Sequence, residues 1–104
     1  MQTQITSRRT DLNDDLRAHI ERQIAKFERF YDGIVKTHVV LDESNAPSED
    51  KVAQINVDVY QKRLTADAEA ATYEDAVNRC ADRVRRQLKE YKAKLRSKDK
   101  DAHR

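Results

Sequence analysis

The chain has 104 residues, of which 38% are apolar and 38% are charged, and its formal net charge is +2. This length fits one small domain, and the high charged share predicts a thin core beneath an ionic surface. The chain has no run of eighteen apolar residues, no apolar signal segment in its start MQTQITSRRT, and a single cysteine that cannot form an internal disulfide. We therefore expect a cytoplasmic domain without a membrane span.

The first half of the chain predicts a strand, a helix and a second strand. The β-branched residues between Gln2 and Ser7 indicate a short strand with Ile5 as its core residue. Asn13 can then cap a helix that is predicted to stop at Gly33, the only glycine. The apolar stripe of this helix consists of Leu16, Ile20, Ile24, Phe27 and Tyr31. The stretch IVKTHVVLD, residues 34–42, is rich in β-branched residues and favours a strand.

The second half predicts a β-hairpin and a second helix. The polar stretch ESNAPSED, residues 43–50, is typical of a connector, and KVAQINVDVYQ and RLTADAEA then alternate apolar with polar residues. Thr72 can cap a helix that runs from Tyr73 to about Arg96, a length of roughly 36 Å at 1.5 Å per residue. We expect the basic end of this helix to extend beyond the sheet. Its apolar stripe consists of Tyr73, Val77, Cys80, Val84, Leu88, Tyr91 and Leu95.

The order of predicted elements is β-α-β-β-β-α. Each strand keeps one apolar face and each helix keeps one apolar stripe, so the elements can bury these surfaces in two layers. We therefore predict an α+β fold in which a four-stranded sheet carries two roughly parallel helices on one face.

The residue types needed for catalysis do not form a recognisable group in the sequence. His19, His38 and His103 fall on the first helix, the second strand and the C-terminal tail, and one glycine is too few for a phosphate-binding loop. We interpret Cys80 as a small buried hydrophobe rather than a reactive thiol, because it lies on an apolar stripe. We expect a protein that is not an enzyme and has no cofactor, metal or small-molecule substrate.

Four acidic residues lie in or next to the polar connector at residues 43–50. They are Asp42, Glu43, Glu49 and Asp50. A cation site is one explanation, but the spacing does not match an EF-hand loop, and a solvated turn explains the same residues. We favour the solvated turn.

Positive charge is concentrated on the helices. Residues 79–104 contain eleven Lys or Arg and four Asp or Glu, a net charge of +7, whereas residues 1–78 have a net charge of −5. On a helical wheel one basic stripe contains Arg79, Arg83 and Arg86, a second contains Arg85, Lys89, Lys92 and Arg96, and the first helix adds Arg22, Lys26 and Arg29. Two helices packed side by side on one sheet face would join these stripes into a single cationic surface.

Solvation of the helix alone is the alternative explanation for these stripes. However, Glu90 is the only acid between Asp82 and the tail, so the second helix tolerates repulsion between like charges over several turns. This repulsion favours an anionic partner. Nucleic acid fits better than a membrane, because the predicted fold uses its apolar faces to form the core.

Four stretches resemble the ribosome hibernation promoting factor family, also called ribosome-associated inhibitors or sigma-54 modulation proteins. They are MQTQITSR, LNDDLRAHIERQIAKFERFYD, VVL in the second strand and DRVRRQLKEYKAKL. The last stretch is the most specific, because it resembles the family pattern D-K-x-x-x-R-Q-L followed by alternating basic residues and a closing K-L. The fold of that family is similar to a double-stranded-RNA-binding domain and has the element order predicted above.

The resemblance implies a translation inactivator that binds the small ribosomal subunit and its rRNA. Such proteins occupy the channel used by mRNA and by tRNA in the A and P sites, and they promote ribosome hibernation under stress or in stationary phase. We accordingly expect one ribosome-binding domain over residues 1–98, a short flexible tail over residues 99–104, and a short-form protein that is monomeric when free. A regulatory module that docks an acidic protein partner through the basic helix is the alternative.

The resemblance and the basic stripes together define ten candidate rRNA-binding residues. They are Arg22, Lys26, Arg29, Arg79, Arg83, Arg86, Gln87, Lys89, Lys92 and Lys94. Arg83 replaces a lysine that is usual in the family. Gln23 and Glu90 also depart from the family, which commonly has basic residues at both positions. Arg22 and Lys89, one position earlier in each case, can supply the missing charge.

Overall fold

The computed structural model describes residues 1–9 and 11–102, with side chains described as far as Leu95. Its strands are β1 (Gln2–Ser7), β2 (Lys36–Glu43), β3 (Lys51–Val59) and β4 (Lys62–Ala70). Its helices are α1 (Asp14–Ala25), the short α2 (Phe27–Phe30) and α3 (Tyr73–Ala102). The α+β class and the predicted order of elements are confirmed, except that the first helix is divided into α1 and α2.

The four strands form one sheet in the order β1-β2-β3-β4, in which β1 is parallel to β2 and the other pairs are antiparallel. The register aligns Ile5, Val39, Ile55 and Ala66 across the sheet. Ile5 is half-buried and the other three are buried. These residues share a core with the apolar stripes of the helices, so the predicted packing of the helices on one face is confirmed.

The first predicted helix begins as expected but ends early. The Asn13 side chain caps it, because Asn13 Oδ1 accepts a hydrogen bond from the Leu16 amide at 2.7 Å. The predicted end at Gly33 is wrong, because α2 ends at Phe30 and Tyr31 is extended (φ −158°, ψ 122°). This extended backbone accompanies edge-on packing of the Tyr31 ring against Tyr91, with the ring centroids 5.4 Å apart. Gly33 serves this contact, since a methyl group at position 33 would overlap the Tyr31 ring.

The long helix α3 lies over β3 and β4 and packs beside α1. The Thr72 hydroxyl caps its start by accepting a hydrogen bond from the Asp75 amide at 3.2 Å. Its 30 residues span about 45 Å, whereas the nine-residue strands span about 30 Å, so its C-terminal end extends past the sheet as predicted. Among the described residues, no helix combines the length and apolar character needed to cross a membrane.

The helical backbone of α3 continues to Ala102, beyond the predicted end near Arg96. The sequence after Arg96 contains no glycine or proline that would terminate a helix. Residues 103 and 104, and all side chains after Leu95, lie outside the described residues. The division into a domain at residues 1–98 and a tail at residues 99–104 therefore stays a prediction.

Candidate nucleic-acid interface

Basic side chains flank the exposed ring of Phe30 where α2 meets α3. One depression beside Phe30 is lined by Lys26, Arg29 and Arg85. A second depression beside the same ring is lined by Arg29, Lys89 and Lys92. We call these five cations, Lys26, Arg29, Arg85, Lys89 and Lys92, the seam cluster. Packing of α2 against α3 thus joins the basic row of the first predicted helix to one of the two stripes of the second.

Acids neutralise only part of the seam cluster. Arg85 forms an ion pair with Asp82, one turn earlier on α3. In the part of the chain that the structure describes, no ion pair involves the other four members. Neighbouring like charges repel one another, so this arrangement leaves unbalanced positive charge at the seam.

Three of the candidate residues on the opposite flank of α3 donate hydrogen bonds to carbonyl groups of the edge strand β4. Arg79 Nη1 donates a hydrogen bond to the Glu69 carbonyl at 2.7 Å, and Gln87 Nε2 donates to the Thr65 carbonyl at 2.8 Å. Between them, Arg83 donates to the Asp67 carbonyl. We call these three side chains, Arg79, Arg83 and Gln87, the edge ladder.

The spacing of the edge ladder follows from the geometry of a helix and a strand. Four residues of a helix rise about 6.0 Å, and two residues of an antiparallel strand span about 6.8 Å. Side chains at every fourth helix position can therefore reach every second strand carbonyl. The unpaired carbonyl groups of an edge strand can form hydrogen bonds with the backbone of another chain. Because the edge ladder binds these carbonyls, it also protects the sheet from association through β4.

The edge ladder limits how freely its members can bind a partner. Arg79 also forms an ion pair with Glu49, with Nη1 and Oε1 3.3 Å apart. A guanidinium group has five N–H donors, so an arginine that binds one carbonyl keeps further donors for an anion. The arginines of the edge ladder are therefore partly structural, whereas the unpaired members of the seam cluster are not.

The three remaining candidates lie on or between these surfaces. Arg22 is exposed one turn before Lys26 on α1. Arg86 is exposed on the outward side of α3, between the edge ladder and the seam cluster. Lys94 lies on the β4 flank, where it lines a depression with Gln87 and other residues.

The expectation of a single cationic surface is therefore only partly met. The seam cluster assembles as expected, but the stripe that contains Arg79 and Arg83 lies on the other flank of α3. Each residue of a helix is rotated by about 100° from the one before it. Arg83 and Arg85, two positions apart, are therefore rotated by about 200° and face opposite sides of α3. The side chain of Arg96 lies outside the described residues.

The acids near the β2–β3 connection contact basic side chains of the same chain. Lys51 Nζ lies 2.6 Å from Glu43 Oε1 and 3.5 Å from Asp50 Oδ2. The hydrogen bond that the Lys51 ammonium group donates to Glu43 raises the pKa of that ammonium group. The other pairs are Glu49 with Arg79 and Asp42 with Arg8 and Arg9. Among the described residues, no group of His, Cys, Asp or Glu side chains is arranged to hold a metal ion.

The two described histidines are in separate places. His19 Nε2 lies 2.8 Å from Asn78 Oδ1, a contact that ties α1 to α3. His38 Nε2 lies 2.8 Å from the Thr6 hydroxyl oxygen, between β2 and β1. His103 lies outside the described residues.

Cys80 is fully buried, which confirms its interpretation as a core residue. Its thiol donates a hydrogen bond to the Ala66 carbonyl, with Sγ and the oxygen 3.2 Å apart. Burial raises the pKa of the Cys80 thiol to about 12. The reactive thiolate is therefore scarce at neutral pH, and the surrounding core blocks access of reagents.

We expect Cys80 to resist alkylation in the folded protein. Iodoacetamide at pH 8 should label it only after unfolding in guanidinium chloride, and raising the pH to 9 should leave the folded protein unlabelled, because both values lie well below a pKa of about 12. Mass spectrometry of the two samples measures the labelled fraction. Equal labelling rates before and after unfolding would contradict the buried position.

Residues 3–96 match the family model described as "Sigma 54 modulation protein / S30EA ribosomal protein". The chain belongs to this family. The predicted family resemblance is therefore confirmed over nearly the whole length. In this family member, most of the described basic side chains of α3 belong to the seam cluster on one flank or to the edge ladder on the other.

Individual relatives agree with the family match. The chain is 27% identical over 96 residues to a ribosome hibernation promoting factor from Klebsiella oxytoca, covering 92% of this chain and 98% of that protein. It is similar to the N-terminal domain of Protein Y from Thermus thermophilus, with 28% identity, a TM-score of 0.75, and coverage of 88% and 99%. A ribosomal subunit interface protein from Coxiella burnetii, at 24% identity, shares the fold with a TM-score of 0.81 and coverage of 89% and 99%.

The two positions predicted to depart from the family occupy different surroundings. Gln23 is half-buried on α1. Glu90 is exposed on the β4 flank, where it lines a depression with Lys62 and Lys94. Lys89, one position earlier, belongs to the seam cluster, so Glu90 leaves the charge of that cluster largely intact.

Sequence reasoning left Phe30 and Arg85 out of the candidate list. Phe30 is 39% exposed although it is a large aromatic residue, and it lies at the centre of the seam cluster. Its position offered a signal, because Phe30 lies between Arg29 and Tyr31 but off the apolar stripe. Arg85 belonged to a predicted basic stripe, but only packing of α2 against α3 places it beside Arg29.

Proposed function

We propose that this protein binds the small ribosomal subunit and promotes ribosome hibernation in the cytoplasm. In this proposal, basic side chains of its helices contact rRNA, and the folded domain occupies the channel used by mRNA and by tRNA in the A and P sites. Membership of the family and similarity to a hibernation promoting factor support the ribosome as partner. Exclusion of mRNA and tRNA by bulk requires no catalytic group.

The unpaired charge of the seam cluster is the observation that carries this proposal. Four of its five members have no ion pair among the described residues, and they come from α3, from α2 and from Lys26, which joins α1 to α2. Convergence of cations from two elements makes a surface that can neutralise several phosphates at once. Binding of this kind gains free energy by releasing counterions from the nucleic acid.

The remaining candidates extend the same surface in the proposal. Arg22 continues the seam cluster along α1, and Arg86 continues it over the outward side of α3. The edge ladder contributes at the margin, because its arginines already donate to carbonyls of β4. We therefore assign most of the rRNA affinity to the seam cluster.

Co-sedimentation with purified ribosomal subunits tests the proposal. We expect a larger fraction of the protein to sediment with small subunits than with large subunits. Both fractions should fall as the salt concentration increases. The logarithm of the affinity should fall linearly with the logarithm of the salt concentration, with a slope of about −0.7 to −0.9 for each phosphate contacted. Prior occupancy of the small subunit by mRNA and tRNA should reduce binding, because the proposed sites overlap.

The same experiment separates the ribosome from an acidic protein partner. An acidic protein that stays bound after nuclease treatment, with no sedimentation with small subunits, would support the alternative regulatory module. Equal binding to empty subunits and to subunits filled with mRNA and tRNA would contradict the proposed channel.

A further inference from the structure

Phe30 is exposed in a position where the core does not use it. Phe27, three residues earlier in the same short helix, is fully buried, whereas Phe30 is 39% exposed. A large aromatic ring at the surface does not gain the stabilisation that burial would provide. Its exposure next to a charged site therefore indicates a role in binding a partner.

Cations flank the Phe30 ring without covering it. Two depressions beside the ring are lined by all five members of the seam cluster, and a third is lined by Arg29 and Lys92 together with the acids Glu28 and Asp32. Among the described residues, cations lie over the rings of Tyr73 and Tyr91, and none lies over Phe30. The ring is thus available to an external partner.

A ring flanked by cations is suited to a partner with both negative charge and a flat aromatic surface. A nucleic-acid strand supplies both, because its phosphates are anionic and each base has a face that stacks on aromatic side chains. A membrane fits less well, since Phe30 is the only exposed large apolar side chain among the described residues that line the seam.

We propose that Phe30 stacks on an unpaired RNA base while the seam cluster holds the phosphates around it. In an A-form duplex the bases are stacked inside the helix, so only a loop, bulge or single strand can present a base to the ring. This inference rests on the proposed function and adds that the seam prefers unpaired rRNA. Stacking tolerates any base, so little sequence preference is expected.

Fluorescence offers a direct test, because the chain contains no tryptophan. The substitution Phe30→Trp creates a single reporter at the centre of the seam. A single-stranded RNA of 12 nucleotides should quench its emission, whereas an abasic strand of equal length and charge should bind without the same quenching. Equal quenching by both strands would overturn stacking.

Affinity measurements with matched variants provide a second readout. Phe30→Ala should weaken binding of the single strand by about 5- to 150-fold, the range expected for one stacked base. Phe30→Leu, which keeps an apolar side chain but no ring, should weaken it similarly, and Phe30→Tyr should preserve it. A 12-base-pair RNA duplex should bind all four proteins equally, and the salt dependence should not change.

The outcomes distinguish this inference from the proposed function. If Phe30→Ala binds single strands like the unmodified protein, while removal of seam charges weakens binding, stacking is overturned and rRNA binding stands. If the unmodified protein binds neither RNA nor small subunits at low salt, both proposals are overturned. A preference of the unmodified protein for duplex over single strand would overturn stacking alone.

Discussion

Replacing Arg29, Lys89 and Lys92 by glutamine should weaken binding to small ribosomal subunits by about 10³-fold. Each residue belongs to the seam cluster, and none of them forms an ion pair among the described residues. Loss of one charge-assisted contact reduces affinity by about tenfold, so three independent losses give about 10³-fold. The magnitude of the salt slope should also fall by about two to three units, because fewer phosphates are neutralised.

A matched control removes three positive charges elsewhere. Arg8, Arg9 and Arg63 already pair with acids, the first two with Asp42 and the third with Asp58. Their replacement by glutamine changes the net charge equally, yet it should leave affinity nearly unchanged. Both triple variants should fold, because the substituted side chains do not belong to the core.

Co-sedimentation across a salt series measures both triple variants, and circular dichroism confirms that each is folded. Equal weakening by the two variants would show that binding depends on net charge rather than on the seam cluster. Undiminished binding of the seam variant would place the contact surface elsewhere, with the edge ladder as the next candidate.

Replacing Phe27 by alanine should destabilise the fold by about 3–5 kcal/mol, because it removes a ring from a packed core and leaves a cavity. Phe27 is among the largest fully buried side chains and joins α2 to the core shared by the helices and the sheet. Domains of this size typically have free energies of unfolding of about 5–15 kcal/mol. The substitution should therefore remove a large part of the stability, measured as a lower midpoint of urea unfolding.

Phe30→Ala is the matched control for this substitution. It removes the same side chain from the same four-residue helix, but Phe30 is 39% exposed whereas Phe27 is fully buried. Because part of Phe30 is still buried, its loss should cost about 1 kcal/mol, clearly less than the loss of Phe27. Equal destabilisation by the two substitutions would show that Phe30 belongs to the core, and the stacking proposal would then lose its basis.

Features of the fold that depend only on residues close together in sequence could be predicted. Asn13 and Thr72 begin helices because each side chain caps amides a few residues later. The end of the first helix could not be predicted in this way. That end accompanies packing of Tyr31 against Tyr91, a residue sixty positions further along the chain.

The candidate site was predictable in composition but not in layout. Helical periodicity separates charged from apolar positions, so the basic stripes could be identified without coordinates. The hydrogen bond from Arg83 to the Asp67 carbonyl could not be predicted, because it depends on which flank of α3 meets the edge of the sheet. The exposure of Phe30 likewise depends on how α2 packs against α3.

The sequence by itself determined the α+β class, the order of the elements, the core faces and the concentration of positive charge on the helices. These properties follow from the periods of strands and helices and from capping residues, which act over short distances along the chain. Only the tertiary structure decided which cations converge on Phe30 and which bind the carbonyls of β4. Those contacts join residues far apart in sequence, and the orientation of α3 on the sheet selects the partners of each flank.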